Sequence, residues 1–461
     1  MRVFAASLAL LLLAGNSGPN KLSAQQEFPR FLQFDEVRDV IARFAAEGLA
    51  DTNAHDAASW DPWIRAHDRE IRGRVDRGFE DSLSNFILYG TSFTTLPRLD
   101  SYEAAMKPDG ELNEATQARI HALAAALARP PMSERLRLAQ EFMKKRLGDG
   151  SSSAGVVEAY FRENLKRFIQ EQRGYQQDLH AAAKAGDPGE LLLRQSTLFA
   201  KRGLSADTSL LPNRAIEDTL GSLVRKGVLR PGSIRRMAVI GPGMDFVDKR
   251  DGYDFYPLQT LQPFALLEAV GRLGLARPDE VQVVAFDLNP AVLAHLLRLA
   301  EDARHGHVYV VQLPRDSRAG WKQDALAYWE HFGDLLGSPT APLPVPTGLS
   351  GVVSRAVAIR PRYAAQVRAV DLNVVAQTLD PQPGTGFDLV VATNVLVYYD
   401  LFEQALAMAS LAHLMNREAL FLANHALPSQ HPPALQYLGR RSVSYSESGE
   451  FGDDVVVYAR R

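Results

Sequence analysis

Met237-Ala238-Val239-Ile240-Gly241-Pro242-Gly243-Met244-Asp245 is the stretch on which the reading of the fold turns. Its short apolar run suits a strand buried on both faces. The glycines that follow let the backbone turn tightly and approach a ligand closely. A second run, Val281–Phe286, leads into Asp287-Leu288-Asn289-Pro290, where Asn289 reads as a helix cap and Pro290 as the first helical residue. Val367–Val370, Phe387–Ala392 and Ala419–Ala423 are further strand candidates, and helical runs separate them. This alternation predicts an α/β fold with a mainly parallel sheet. Two last runs, Ser442–Ser446 and Val455–Ala459, are divided by Gly449, Gly452 and acidic residues and predict an antiparallel hairpin.

Upstream the pattern is helical, from Phe28 to about Lys226. Val37, Val40, Ile41, Phe44, Ala45 and Leu49 repeat at the three–four spacing of a buried stripe. Asp61-Pro62 predicts a cap and a first-turn proline, Ser133 opens another helix, and Val156, Tyr160, Leu165, Phe168 and Ile169 mark a long amphipathic one. Asn213 is expected to cap the last helix and Gly227 to stop it. Gly90 to Pro97 is polar and turn-like, read as a surface loop with a site-lining role as the alternative. The expected division is a helical accessory domain over residues 28–226 and an α/β domain over residues 227–461. Residues 305–362 form an insertion within the second. It carries an aromatic helix from Trp321 to Leu336 and a stiff run of Pro339, Pro342, Pro344 and Pro346, and is expected to be a lid or subdomain.

Met1-Arg2, the apolar run from Val3 to Ala14 and the small and polar residues up to Ala24 have the layout of a secretory signal peptide over residues 1–24. The run is shorter than the roughly 18 apolar residues a membrane span needs. Localisation is therefore expected to be exported, periplasmic or extracellular, if the leader is used, and cytoplasmic if it is not. No stable membrane span is expected once the leader is removed.

Composition narrows the function classes. Of 461 residues, 46% are hydrophobic and 23% charged, which suits a folded protein rather than a disordered one. The formal net charge of -3 gives no basic excess for a nucleic-acid partner. There is no cysteine, which excludes disulfides, thiolate nucleophiles and cysteine-held metals. His305-Gly306-His307, with Glu301 and Asp302 one turn earlier, reads as a solvated helix end, and no metal site is expected.

The chemistry is expected at the strand ends. Asp287 is placed to accept both ribose hydroxyls of a nucleotide, with a plain helix-start role as the alternative. A dinucleotide site fits poorly: Phe246 stands at the third glycine position, and Asp287 comes far later than the roughly 20 residues such a site allows. No Walker-type phosphate loop occurs.

The succession Val239-Ile240-Gly241-Pro242-Gly243, Val284-Ala285-Phe286-Asp287, Val370-Asp371-Leu372 and Phe387-Asp388-Leu389-Val390-Val391-Ala392-Thr393-Asn394-Val395-Leu396-Val397-Tyr398-Tyr399-Asp400 resembles the class I S-adenosylmethionine-dependent methyltransferases. The fourth-strand stretch is locally most similar to the chemotaxis-receptor methyltransferases. The resemblance covers about Ser205 to the end. It implies a Rossmann-like seven-stranded, mostly parallel sheet with an antiparallel C-terminal hairpin, behind an all-helical N-terminal domain. It implies S-adenosyl-L-methionine as cofactor, and methyl transfer to an unidentified acceptor as activity.

By that resemblance Gly241, Gly243 and Asp245 would face the methionine part of the cofactor, and Asp287 with Leu288 would hold the ribose. Asp371 and Leu372 would border the adenine, and Asn394 and Val395 would lie beside the sulfonium. Gln262, in Gln262-Pro263-Phe264, and Thr208, in Thr208-Ser209-Leu210-Leu211, match cofactor-contacting segments. Tyr398, Tyr399 and Asp400 are the catalytic candidates, with His425 beside them if the acceptor needs a base; a strand-end histidine without catalytic work is the alternative for His425. The chain departs from the pattern at Asp245, in place of a third glycine, at Gln262 and Thr393, and in the inserted Phe246–Gln259. A non-catalytic binding or scaffolding protein with lost or weakened cofactor binding is the alternative function. A nicotinamide-dependent oxidoreductase is the third.

Overall fold

The structure, a computed structural model, describes residues 28–46, 56–185, 202–248, 251–380, 384–425, 427, 432–449 and 451–461. The expected leader over residues 1–24 lies outside these, as does Leu49.

A short β1 (Pro29–Phe31) leads into α1 (Phe34–Ala46). Val37, Val40, Ile41 and Phe44 are buried at the expected spacing, while Ala45 faces solvent. α2 (Ala57–Tyr89) begins earlier than Asp61-Pro62 predicts. Asp56 is its cap: its carboxylate accepts from the Ala58 and Ser59 amides, and the Ser59 hydroxyl accepts from the Asp56 amide. That reciprocal box satisfies orphan donors at the helix start and outcompetes the later signal. Pro62 then falls inside the helix and forfeits only the bond to the Ala58 carbonyl.

α3 (Glu114–Leu127), α4 (Glu134–Leu147) and α5 (Ala154–Ala185) follow. Ser133 caps α4 as expected, its Oγ accepting from Leu136 N at 3.2 Å. α6 (Leu211–Arg225) starts before Asn213, because Pro212 presets the backbone of its first turn. Gly227, at φ 72°, ends it.

The chain continues through β2 (Arg236–Ile240), α7 (Gln262–Arg272), β3 (Gln282–Asp287), α8 (Pro290–Arg304), β4 (Tyr309–Asp316), α9 (Gln323–His331), β5 (Gly337–Thr340) and β6 (Val352–Ile359). Then come α10 (Pro361–Ala364), β7 (Val367–Asp371), β8 (Gln377–Leu379), β9 (Phe387–Ala392), α11 (Leu401–Leu414), β10 (Met415–Ala423), β11 (Leu435–Ser444) and β12 (Gly452–Arg460). Seven strands form one sheet in the order β11-β12-β10-β9-β2-β3-β7. β10, β9, β2, β3 and β7 are parallel, and β12 pairs antiparallel with both β10 and β11. The expected α/β class, with a mostly parallel seven-stranded sheet and an antiparallel C-terminal pair, is the observed one.

Alternation along the strands sorts two cores. Met237 and Val239 face the core closed by α6, α7 and α8, which runs on into α3, α4 and α5. Ala238 and Ile240 face the core closed by α1, the first turns of α2 and α11. β1 pairs with β8, which ties the N-terminal end to the segment after β7. The helical region therefore covers the sheet on both faces. β4, β6 and β5 form a separate antiparallel sheet inside the insertion. Pro314 and Pro339 sit on its two edge strands, the places where a missing N–H is tolerated in a ladder. Among the described residues no helix is long and apolar enough to cross a membrane.

Candidate functional site

β2 lies between β3 on one side and β9 on the other, so the chain leaves the middle of the sheet in opposite directions at their carboxyl ends. An open α/β sheet forms its ligand crevice at such a point. Gly241 (φ 60°) and Gly243 (φ 69°) both take left-handed backbone there. Space requires them too. A Cβ on Gly241 would lie 2.4 Å from Val395 Cγ2, and one on Gly243 2.6 Å from the Ala206 carbonyl oxygen. The Met244 amide donates to that same carbonyl at 2.7 Å. The segment before α6 is thereby drawn against the glycine loop, and Thr208 reaches the cleft with it.

The helical region supplies the facing wall. α2 crosses the 203–204 backbone at van der Waals contact: a Cβ on Gly78 would lie 1.9 Å from the Leu204 oxygen, and one on Gly203 2.0 Å from the Gly78 nitrogen. The Leu204 amide donates to the Arg74 carbonyl at 3.0 Å. This crossing brings Val75, Ser205 and Asp207 to the cleft. Periodicity did not mark them, because the sequence pattern there reads as helix core and linker. Asp207 is buried and accepts from Ser82 Oγ at 2.8 Å.

Asp287, at the tip of β3, lines the cleft. Its Oδ1 accepts from the Asn289 amide at 2.8 Å, and the Leu288 and Gly243 amides also bond to the carboxylate. Among the described residues no cation pairs with it. Burial pushes its pKa up to about 6 against the pull of those amides. Leu288, Leu372, Asn394, Val395, Tyr398 and Tyr399 line the same cleft. Asn394 holds φ 57°, which is uncommon for a residue with a side chain. Its amide donates to Asn424 Oδ1 at 2.8 Å. Asn424 Nδ2 returns bonds to Asn394 Oδ1 at 2.9 Å and reaches Asp453 Oδ1 at 2.8 Å. Tyr399 is fully enclosed, and burial raises its hydroxyl pKa.

Five of the sequence candidates stand elsewhere. Asp371 does not line the cleft; its half-exposed carboxylate is held by Arg72 Nη1 at 2.7 Å. Asp245 turns away from it and is only 2% exposed: its Oδ2 accepts from the Tyr256 hydroxyl at 2.6 Å and from Gln259 Nε2 at 3.3 Å. Burial raises its pKa to about 7. Gln262 is buried behind the wall and donates to Thr393 Oγ1 at 2.6 Å. Asp400 caps α11: its Oδ1 accepts from the Glu403 amide at 2.8 Å, and Glu403 accepts from the Asp400 amide at 2.8 Å. Asp400 does not line the cleft. His425 lies in a neighbouring cavity, away from Tyr399.

The inserted Phe246–Gln259 segment does not line the cleft. Arg135 of α4 gathers the Asp245, Phe246 and Tyr256 carbonyls. Asp254 accepts from the amides and hydroxyls of Thr91 and Ser92, at 2.6 to 2.9 Å. The polar turn after α2 is thus a clamp on this insertion rather than a free surface loop. His305 and His307 are exposed, and among the described residues no group of three or more candidate ligands could hold a metal ion.

Comparison with known proteins finds no matching protein-family model and no matching curated protein. Among solved structures the chain is similar to TrmN from Thermus thermophilus, with 15% identity over 54% of this chain and 52% of that one, at a TM-score of 0.26. It is also similar to the N-methyltransferase NodS from Bradyrhizobium japonicum WM9 in complex with S-adenosyl-L-homocysteine (10% identity, 58% and 98% covered, TM-score 0.28). A third is magnesium protoporphyrin IX methyltransferase from Synechocystis PCC 6803 with bound S-adenosylmethionine (12% identity, 58% and 84% covered, TM-score 0.26). The chain spans about half the length of the first of these. Likeness at this level carries no argument about activity.

Proposed function

We propose that this chain is an S-adenosylmethionine-dependent methyltransferase. The observation that supports it is the juxtaposition of Asp287 with the Gly241–Gly243 loop at one strand-end crevice. Asp287 has no cationic partner among the described residues, so its carboxylate is available to a ribose diol, and the glycines leave room for a ligand backbone. Asn394, locked by Asn424, gives a rigid polar edge where the reacting methyl group would sit. Such a reaction asks mainly for alignment, since the sulfonium is already activated.

Calorimetry of the protein with S-adenosyl-L-homocysteine tests the reading. Saturable binding in the micromolar range is expected, and absence of heat rejects it. One observation favours a second reading, a fold of this class that has lost its cofactor: the cleft encloses only about 70 Å³, against about 390 Å³ in the cavity beside it. The same titration separates the two. The leader reading supports export, and fractionation with N-terminal sequencing of the native protein decides it.

A further inference from the structure

A second cavity, of about 390 Å³, opens beside the cleft. Ser205, Asp207, Asn394 and Tyr398 line both spaces, so the two are adjacent. α2 and α5 provide its far wall, with Asn85, Gln172 and Tyr175 among the lining groups. His425, just past the end of β10, lines the same cavity. Both of its ring nitrogens are shielded from water, and neither has a hydrogen-bond partner among the described residues. A buried imidazole left this way is costly to keep without a role, because buried polar groups are nearly always paired.

On the methyl-transfer reading above, we propose that this cavity is the acceptor site and that His425 is the base that takes the acceptor's proton. The acceptor is then a small molecule carrying a hydroxyl or an amine at the position methylated. Its oxygen or nitrogen lone pair forms the new bond to the methyl carbon. The carbon–sulfur bond breaks, and its electron pair stays on sulfur to give S-adenosyl-L-homocysteine. The acceptor's proton passes to a ring nitrogen of His425, which later returns it to water.

Burial lowers the His425 pKa to about 4, so the imidazole is neutral at ordinary pH. The titratable and charged groups that share its cavity are Asp81 on α2, Tyr175 on α5, Arg202 and Asp207 before α6, and Tyr398 after β9. Asp81 is paired with Arg167 at 2.9 Å, and Asp207 accepts from Ser82 Oγ at 2.8 Å. A carboxylate acceptor needs no base and would leave the imidazole unpaired.

The test begins with calorimetry of the full chain and S-adenosyl-L-homocysteine. Absence of binding overturns the methyl-transfer reading and this inference with it. With binding established, the protein and S-adenosylmethionine are incubated with phenol, catechol, benzyl alcohol, benzylamine, benzoate and phenylacetate, and release of S-adenosyl-L-homocysteine is measured. Turnover of a hydroxyl or amine compound and of neither carboxylate is expected. In His425→Gln, kcat should fall about a hundredfold or more with KM little changed, and the acidic limb of the kcat–pH profile should disappear. Should that variant not fold, His425→Leu, which keeps the volume and removes the polar atoms, takes its place. Turnover of the carboxylates alone, no turnover of any compound, or a variant as active as the parent overturns the assignment while leaving the cofactor reading intact.

Discussion

Gly241 and Val395 meet across the cleft with no room for another carbon: a Cβ on the glycine would lie 2.4 Å from Val395 Cγ2. Gly241 also holds φ 60°, where an alanine costs roughly 1–2 kcal/mol. Gly241→Ala should therefore lower the melting temperature and push the turn after β9 away from the loop. S-adenosyl-L-homocysteine affinity should fall at least tenfold. Adding Val395→Ala makes room and should restore part of that affinity but not the backbone cost. Calorimetry and thermal denaturation of the single and double variants separate the two contributions.

On the proposed reading, Asp287 should couple binding to pH. Its pKa in the folded chain, about 6, lies above the ordinary aspartate value. Cofactor affinity should therefore rise as pH increases through 6, because the ionised carboxylate is the better acceptor for ribose hydroxyls. Stability runs the other way. The folded chain holds a proton that the unfolded chain releases between about pH 4 and 6, so this group's contribution falls across that window as pH rises. Asp287→Asn should be more stable than the parent at pH 7.5, by an amount on the order of 1 kcal/mol. It should also bind ten- to a hundredfold more weakly, given the roughly 1.5–3 kcal/mol of a charge-assisted hydrogen bond. Equal affinity in the folded variant contradicts the ribose role.

The Asn394–Asn424 pair keeps a strained residue in place. The Asn424 side chain satisfies the Asn394 amide at 2.8 Å, and in return Asn394 Oδ1 accepts at 2.9 Å. Asn424→Ala leaves that amide unpaired and should cost about 1–3 kcal/mol. Asn394→Gly relieves the φ of 57° and should retain the fold while weakening binding. Urea denaturation of both, with calorimetry on each, checks the division between strain and contact.

What could be read from the chain divides along physical lines. The buried parallel strands were legible because two-sided burial leaves continuous apolar runs, as in Val281–Phe286. β11 starts at Leu435 rather than Ser442, since it is an edge strand whose alternation is broken by a register shift at Gly439 and by Arg440-Arg441. β4 and β5 were not legible, because Pro314 and Pro339 interrupt them and are tolerated only on edges. At the site, Gly241, Gly243, Asp287, Leu372, Asn394 and Val395 all line one cleft, as residues at neighbouring strand tips must. Asp371 and Asp245 escaped that logic. Each is engaged by a partner distant in sequence or introduced by an insertion, Arg72 for the first and Tyr256 for the second. Val75 and Asp207 reach the cleft through a helix crossing that no local pattern announces.

Asp400 separates a structural role from a catalytic one. Its carboxylate and that of Glu403 satisfy each other's amides at the start of α11. Asp400→Ala should cost about 0.5–2 kcal/mol of stability, the usual value of a lost cap. Asp400→Asn or Asp400→Ser, which can still cap, should recover most of it. S-adenosyl-L-homocysteine affinity of all three should match the parent within a factor of two. A large loss of binding in the well-capped variants contradicts a purely structural role.

Gly78 decides whether the helical region can shape the cleft at all. A Cβ there would lie 1.9 Å from the Leu204 carbonyl oxygen and 2.3 Å from its carbon, both backbone atoms that cannot rotate away. Gly78→Ala would ordinarily favour a helix by about 1 kcal/mol. Here it must instead lift the 203–208 segment off α2, breaking the bond from the Leu204 amide to the Arg74 carbonyl. Ala206, which accepts from the Met244 amide beside the glycine loop, moves with that segment. The expected result is a protein whose circular dichroism keeps its helical content, whose melting temperature drops, and whose cofactor affinity is reduced by more than Val75→Ala reduces it. Gly73→Ala, on the same helix with nothing within 4 Å of its Cβ, is the control and should be neutral or stabilising. If Gly78→Ala behaves like that control, the close crossing of α2 over Leu204 is not a feature of the folded protein, and the cleft wall that depends on it must be redrawn.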